Sequence, residues 1–153
     1  MYKNILVPLD GSELAECVLP HVESIARGCG VESVIFIRVL DTYVLSATYA
    51  YLNESLKKEM EGSNKEAAEK YLDEVVSRVN LGKVEVQKRL IVGRIAESIT
   101  DYATKNDIEL ITIATHGRSG ISRWAWGSVA DRILRSTCVP ILMVRAPGCV
   151  PGI

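Results

Sequence analysis

The sequence predicts a doubly wound α/β fold, in which a mostly parallel five-stranded sheet carries helices on both faces. Five continuous apolar runs bounded by turn residues are typical of strands that are covered on both faces. Segments with an apolar period near 3.6 residues alternate with these runs along the whole chain. Such alternation favours right-handed crossovers and therefore a parallel sheet. With 153 residues, 48% of them apolar, the chain is long enough for one core and short for two domains.

The elements follow one another in a regular order. Strands are predicted at residues 5–9, 34–39, 84–90, 110–114 and 141–144. Amphipathic stripes predict helices at residues 14–26, 68–79, 95–103 and 129–134. Residues 41–53 fit no regular element, and they either fold over a ligand or lead into the next helix. We expect one domain at residues 1–146 and a flexible Pro- and Gly-rich tail at 147–153.

Two motifs stand where predicted strands 1 and 4 end. The first is Asp-Gly-Ser at residues 10–12. The second runs from Ala114 to Gly117 and, after nine intervening residues, continues with Gly127 and Ser128. Small and hydroxyl residues between a buried strand and a helix suit a phosphate, because backbone N–H groups converge there. Both strand orders 2-1-3-4-5 and 3-2-1-4-5 fit the pattern, and in the second the two motifs flank one crevice. Together they predict a nucleotide site.

Each motif also has a purely structural interpretation. Asp10 or Ser12 would cap the first helix, and Ser128 with Asp131 fits a capping pattern for the last one. Capping and ligand contact therefore both stay open for Asp10. Neither G-x-G-x-x-G after strand 1 nor G-x-x-x-x-G-K-[ST] occurs, which disfavours a dinucleotide oxidoreductase and a P-loop ATPase.

Composition disfavours several other classes of protein. The net charge of -1 gives no general field for nucleic acid or an anionic membrane, and no apolar run approaches the roughly 18 residues of a membrane span. The four cysteines, Cys17, Cys29, Cys138 and Cys149, form no C-x-x-C pair, and the N-terminus is not a signal peptide. We expect a cytoplasmic protein with neither nucleic acid nor membrane as a partner.

With these residues in view, the chain resembles the universal stress protein family over essentially its full length. The matching segments are residues 3–12, 92–99, 115–120, 127–130 and 139–145. The resemblance implies the Rossmann-like strand order 3-2-1-4-5. In the nucleotide-binding branch it also implies ATP held by G-x-x-G, nine residues, then G-[ST]. This chain keeps Gly117, Gly127 and Ser128 but has Ala114 in place of the first glycine, which adds a methyl group near the ligand.

The resemblance further implies contacts and a partner. Residues implied to line the adenosine part are Pro8, Leu9, Asp10 and Val39. Residues implied to hold the ribose and phosphates are Ile113, Gly117, Gly127, Ser128 and Val129. The family also implies a homodimer through Ile141–Val144. An independent physical reason supports such a dimer, since this apolar edge strand would be exposed if it did not pair with the same strand of a second copy.

We therefore expect a stress-response protein that binds ATP as a regulatory ligand, with residues 41–53 and 118–126 closing over it. AMP or ADP as the ligand, and Mg²⁺ or Mn²⁺ with it, stay open. No general base, arginine finger or acidic metal cluster can be assigned, so any hydrolysis would be slow. Two alternatives stay open, a nucleotide-free dimeric scaffold in which both motifs cap helices, and a slow ATPase or phosphotransferase.

Overall fold

Five parallel strands form the centre of the fold. In the computed structural model, which describes residues 2–115 and 127–145, they are β1 (Asn4–Pro8), β2 (Ser33–Asp41), β3 (Glu85–Gly93), β4 (Leu110–Ala114) and β5 (Ile141–Val144). Their order is β3-β2-β1-β4-β5, and each neighbouring pair is parallel. The doubly wound fold is thereby confirmed, and so is the order 3-2-1-4-5 that the resemblance implied.

Helices cover both faces of this sheet. They are α1 (Leu19–Gly28), α2 (Thr42–Tyr49), α3 (Glu54–Arg78), α4 (Ile95–Lys105) and α5 (Ser128–Ser136). Because side chains alternate along a strand, Val7 and Phe36 pack with residues of α1 and α3 in one buried cluster. Leu6 and Ile37 pack with residues of α4 and α5 in the other. The apolar runs of the sequence therefore correspond to strands that are buried on both sides.

The third strand is less buried than the others, because β3 lies at an edge of the sheet. Its side chains at Glu85, Lys88 and Arg89 are exposed. Charged side chains on an edge strand discourage pairing with another chain. The more strongly alternating sequence of this strand is explained by its edge position.

Residues 41–53 correct the sequence-based expectation, since they contain α2 and not an irregular connection. The Asp41 side chain accepts a hydrogen bond from the Tyr43 N–H at 2.8 Å and so caps α2. Most side chains of α2 are exposed, Tyr43 to 78% and Val44 to 58%. A helix that buries so little has no apolar stripe, so the capping residue is its main sequence signal. α3 likewise begins well before its predicted start at residue 68.

Neither the helices nor the cysteines of the described part of the chain indicate a membrane or metal role. Within residues 2–115 and 127–145, none of the helices has the length and apolar character needed to cross a bilayer. The same residues contain no group of three His, Cys, Asp or Glu side chains that could hold a metal ion. Cys17 and Cys29 are half-buried free thiols, and Cys138 is exposed. The predicted tail at 147–153 lies outside the described residues.

Candidate functional site

A crevice opens between β1 and β4 at the carboxyl end of the sheet. β1 is paired with β2 along all five of its residues. With β4 it is paired at only two positions, the later of which joins Leu6 to Ile111. β4 in turn is paired with β5 up to its last residue, Ala114. Beyond Leu6, β1 therefore stays with β2 while β4 stays with β5, which is the geometry of a ligand-binding switch point.

The Asp10 turn forms one side of this crevice. Asp10 Oδ1 accepts hydrogen bonds from the Ser12 N–H at 2.9 Å and from the Ser12 hydroxyl at 2.6 Å. Ser12 Oγ accepts one from the Ala15 N–H at 3.2 Å, where a 3-10 turn over Ala15–Val18 precedes α1. These bonds order the turn that precedes the first helical segment. Neither Asp10 nor Ser12 occupies a cap position, because the caps of the 3-10 turn and of α1 are Leu14 and Val18.

The start of α5 forms the other side. The Gly127 N–H donates to the Thr115 carbonyl at 2.7 Å, which ties α5 to the end of β4. Gly127 is the capping residue of α5, and no side chain bonds to the first turn from that position. The expectation that Ser128 caps α5 is therefore wrong, because Ser128 is the first helical residue. A glycine cap leaves the first N–H groups of the helix without a side-chain acceptor, which suits an anion.

The two motifs follow adjacent strands at the same end of the sheet. The Asp10 turn comes directly after β1, and Gly127 is bonded to Thr115, which comes directly after β4. β1 and β4 are neighbours in the sheet and separate beyond Leu6 and Ile111. Two segments more than a hundred residues apart in the sequence thus lie at the carboxyl ends of the two strands that border the crevice.

The remaining predicted site residues divide between the two faces of the sheet. Val39, Ile113 and Val129 belong to the cluster on the α4 and α5 face, so the structure brings these three together. The Leu9 side chain packs on the opposite face with α1 and α3, which leaves only its backbone near the crevice. Pro8 is buried at the end of β1. Gly117 lies outside the described residues.

Ala114, the departure from the family motif, is buried to 7% exposure. Its side chain belongs to the cluster with α1 and α3. The neighbouring Ile113 faces the other way, toward Val39 and Val129. The extra methyl group is therefore packed in the core on the face opposite to these three residues.

An open groove of about 1250 Å³ adjoins the start of α5. Ser128 and Val129 line it from one side, and Thr42, Tyr43 and Ser46 of α2 line it from the other. Charged side chains of α4 and α5, and of the residue that caps α4, also line the groove: Arg94, Glu97, Asp131, Arg132 and Arg135. The groove is large enough for a nucleotide-sized ligand. Of the predicted site residues that the structure describes, its lining contains Ser128 and Val129 but not Pro8, Leu9, Asp10, Val39, Ile113 or Gly127. α2, which the sequence pattern did not predict, thus faces the predicted phosphate end of the site.

Two further residues lie beside the Asp10 turn and were not predicted. The Arg38 guanidinium carbon is 5.0 Å from the centroid of the Tyr71 ring. A Cβ atom built on Gly11 would lie 3.0 Å from that guanidinium. One charged residue inside the apolar run at 34–39 was the available sequence signal.

This fold and this crevice define a class of protein: doubly wound α/β proteins of strand order 3-2-1-4-5 with a ligand crevice between strands 1 and 4. The model of the universal stress protein family matches residues 1–145. The chain belongs to that family.

Individual relatives agree with this assignment. Universal stress protein MJ0531 of Methanocaldococcus jannaschii is 29% identical over 147 residues, which cover 96% of this chain and 84% of that protein. The solved structure of MJ0577, from the same organism, superposes with a TM-score of 0.84 at 26% identity, covering 97% and 99% of the two chains. An Arabidopsis thaliana family member with AMP bound has a TM-score of 0.64 at 12% identity, covering 95% and 93%. At that identity the Arabidopsis structure shows a shared fold alone.

Proposed function

We propose that this chain is a cytoplasmic stress protein that binds an adenine nucleotide, foremost ATP, as a regulatory ligand in the crevice between β1 and β4. The observation that carries the proposal is the placement of the Asp10 turn and the glycine-capped start of α5 after the adjacent strands β1 and β4, where these two strands separate. A carboxylate suits ribose hydroxyls, and the N-terminus of a helix suits phosphates. The AMP-bound Arabidopsis relative supports an adenine nucleotide as the ligand class.

The described residues fit such a ligand. The residues that would line the adenosine part are Pro8, Leu9, Asp10 and Val39. The residues that would hold the ribose and phosphates are Ile113, Gly117, Gly127, Ser128 and Val129. Val39, Ile113 and Val129 lie on the same face of the sheet, in the cluster with α4 and α5. A Mg²⁺ or Mn²⁺ ion would be held mainly by the phosphates and water, because the described residues supply no cluster of three ligating side chains.

Regulation would work through α2. This helix lies across the groove from Ser128 and Val129 and is mostly exposed. A nucleotide that contacts both α2 and α5 favours the conformation in which they are close, and so changes the surface that α2 presents to partners. Residues 118–126, which we also expect to close on the ligand, lie outside the described residues.

The test is identification of the nucleotide that copurifies with the full chain. Freshly purified protein is denatured, and the released small molecules are identified by mass spectrometry. We expect an adenine nucleotide in near-stoichiometric amount, and saturable heat when the stripped protein is titrated with ATP. No released nucleotide and no heat with ATP, ADP or AMP would favour the dimeric scaffold. Magnesium-dependent phosphate release that vanishes in Asp10→Ala would favour the enzyme.

We further propose that the protein forms a homodimer through β5, which lies at an edge of the sheet. The carbonyl group of Pro140 accepts a hydrogen bond from Ile111 of β4 at 2.9 Å, and that of Val144 accepts one from Thr115, which follows β4, at 2.8 Å. Because these groups alternate along a strand, Ile141 and Met143 direct their N–H and C=O groups away from β4. These unpaired edge groups, flanked by half-buried apolar side chains, are available to a second copy of the strand.

The substitution Met143→Pro is expected to convert the dimer to a monomer. Proline removes one outward N–H group, and an edge strand tolerates it without losing a bond to β4. The matched variant Met143→Ala shortens the same side chain but keeps the N–H group, so it is expected to stay dimeric. Light scattering coupled to size-exclusion chromatography measures both masses. A dimeric Met143→Pro protein would exclude strand pairing at β5 as the interface.

A further inference from the structure

Arg38 lies directly against the Asp10 turn. It belongs to β2, and its side chain extends past the end of β1 toward Gly11. A Cβ atom on Gly11 would be 3.0 Å from each of Cζ, Nη1 and Nη2 of Arg38, so the guanidinium group lies broadside against the turn. Gly11 also has a φ of +86°. The backbone therefore favours glycine at this position, and its missing side chain leaves room for the close approach of Arg38.

Tyr71 of α3 fixes the same guanidinium group. The Arg38 Cζ lies 5.0 Å from the ring centroid, which is cation–π geometry. The Tyr71 hydroxyl is buried. Burial, and next the nearby Glu16 carboxylate, raises the pKa of Tyr71. The contact with Arg38 is made by the Tyr71 ring.

A second contact connects α3 to the segment that follows the turn. Arg78 Nη2 donates to Glu16 Oε2 at 2.9 Å, and the Glu16 side chain is only 18% exposed. Glu16 belongs to the 3-10 turn that comes after Ser12. α3 thus holds the region after β1 at two places, through Arg38 at the turn itself and through Arg78 one turn later.

We propose that Arg38 is the positioning residue of the Asp10 turn, and that the Tyr71 ring holds Arg38 in place. The inference rests on the proposed function, because Arg38 is proposed to raise the affinity of the crevice for a nucleotide. A turn that is ordered before the ligand arrives loses less conformational entropy on binding. Gly11 lies between Asp10 and Ser12, so a guanidinium group packed against Gly11 restrains the turn that orients both side chains.

The test compares Arg38→Met with the unchanged chain by two measurements. Methionine keeps the length of the side chain but removes its planar charged head. We expect the Kd for ATP to rise about tenfold, as loss of a partly desolvated cation–π contact implies. We also expect the Ser12 N–H, which is bonded to Asp10, to exchange with solvent hydrogen about tenfold faster by NMR. Arg89→Met, at an exposed arginine on the adjacent β3, should change neither value.

Variants of Tyr71 separate positioning from general packing. Tyr71→Phe keeps the ring and should keep the affinity and the exchange rate of the unchanged chain. Tyr71→Leu should reproduce Arg38→Met, and combining Tyr71→Leu with Arg38→Met should add little, because the two residues act as one unit. Equal Kd and equal Ser12 exchange in Arg38→Met and the unchanged chain would overturn the inference.

Failure of the proposed function gives a different result. If the unchanged chain binds no adenine nucleotide, the proposed function is refuted. Exchange at Ser12 is measured without ligand, so it still decides whether Arg38 orders the turn. Faster exchange in Arg38→Met but not in Arg89→Met supports the positioning role in that case, and equal exchange refutes it.

Discussion

Replacement of Gly127 by valine is expected to weaken ATP binding at least tenfold while the protein stays folded. Gly127 has φ -52° and ψ 134°, which valine adopts without strain. Its branched side chain would stand at the point where α5 begins, beside the N–H groups that we assign to the phosphates. Steric exclusion of an anion from a helix terminus removes both hydrogen bonds and a favourable dipole interaction. Calorimetric titration with ATP measures the loss.

A matched control is available at Gly28, the last residue of α1. No heavy atom lies within 4 Å of a Cβ atom built on Gly28. Gly28→Val therefore introduces the same side chain at a helix end away from the crevice and should leave the affinity unchanged. Circular dichroism during heating checks that both variants fold. Unchanged ATP affinity in a folded Gly127→Val protein would show that the phosphates bind elsewhere.

The sequence predicts the strands well because of how they are buried. β1 and β4 are covered on both faces, so each is a short apolar run with turn residues on either side. The bounds of β4 agree with the prediction at both ends. The order of the strands within the sheet cannot be predicted in the same way, because no local sequence pattern indicates which strands are neighbours. Order 3-2-1-4-5 came from the resemblance, and the structure confirms it.

The sequence pattern did not predict α2, the first part of α3 or the cap of α5, because these features depend on single hydrogen bonds and not on a buried apolar face. α2 depends on the Asp41 cap, and the first part of α3 is exposed and begins at an Asn53 cap. Neither has the apolar period by which a helix is recognised. At α5, both Gly127 and Ser128 are acceptable caps, and the structure uses the glycine because its N–H bonds to Thr115. Such a contact between distant residues leaves no mark in a local pattern.

Arg38 is a different kind of omission. Within an apolar strand its charge has no local explanation, and the sequence does not show which helix it meets. The contact depends on α3 covering the end of β2 and on Gly11 leaving room beside the turn. Long-range packing, which only the folded chain reveals, gives this residue its place next to the candidate site.

Asp10→Asn is expected to weaken ATP binding by roughly tenfold or more and to cost less stability than Asp10→Ala. The asparagine oxygen can still accept the hydrogen bonds that Ser12 donates to Oδ1. We expect the free energy of unfolding to fall by less than the roughly 1 kcal/mol that loss of these hydrogen bonds costs in Asp10→Ala. The substitution removes the negative charge and turns one acceptor into a donor. Charged hydrogen bonds to the ribose hydroxyls, worth about 1.5–3 kcal/mol each, would be lost.

Comparison with Asp10→Ala separates the two roles of this residue. Alanine removes the acceptor of the two hydrogen bonds from Ser12 as well, so this variant should lose affinity and also about 1 kcal/mol of stability. Urea unfolding measures the stability of both variants, and calorimetric titration measures their affinity for ATP. Asp10→Asn that binds ATP as tightly as the unchanged chain would assign Asp10 to ordering the turn alone. Because the Asp10 turn follows β1 and Gly127 is bonded to Thr115 after β4, the ribose assignment would then fail independently of the phosphate assignment that Gly127→Val tests.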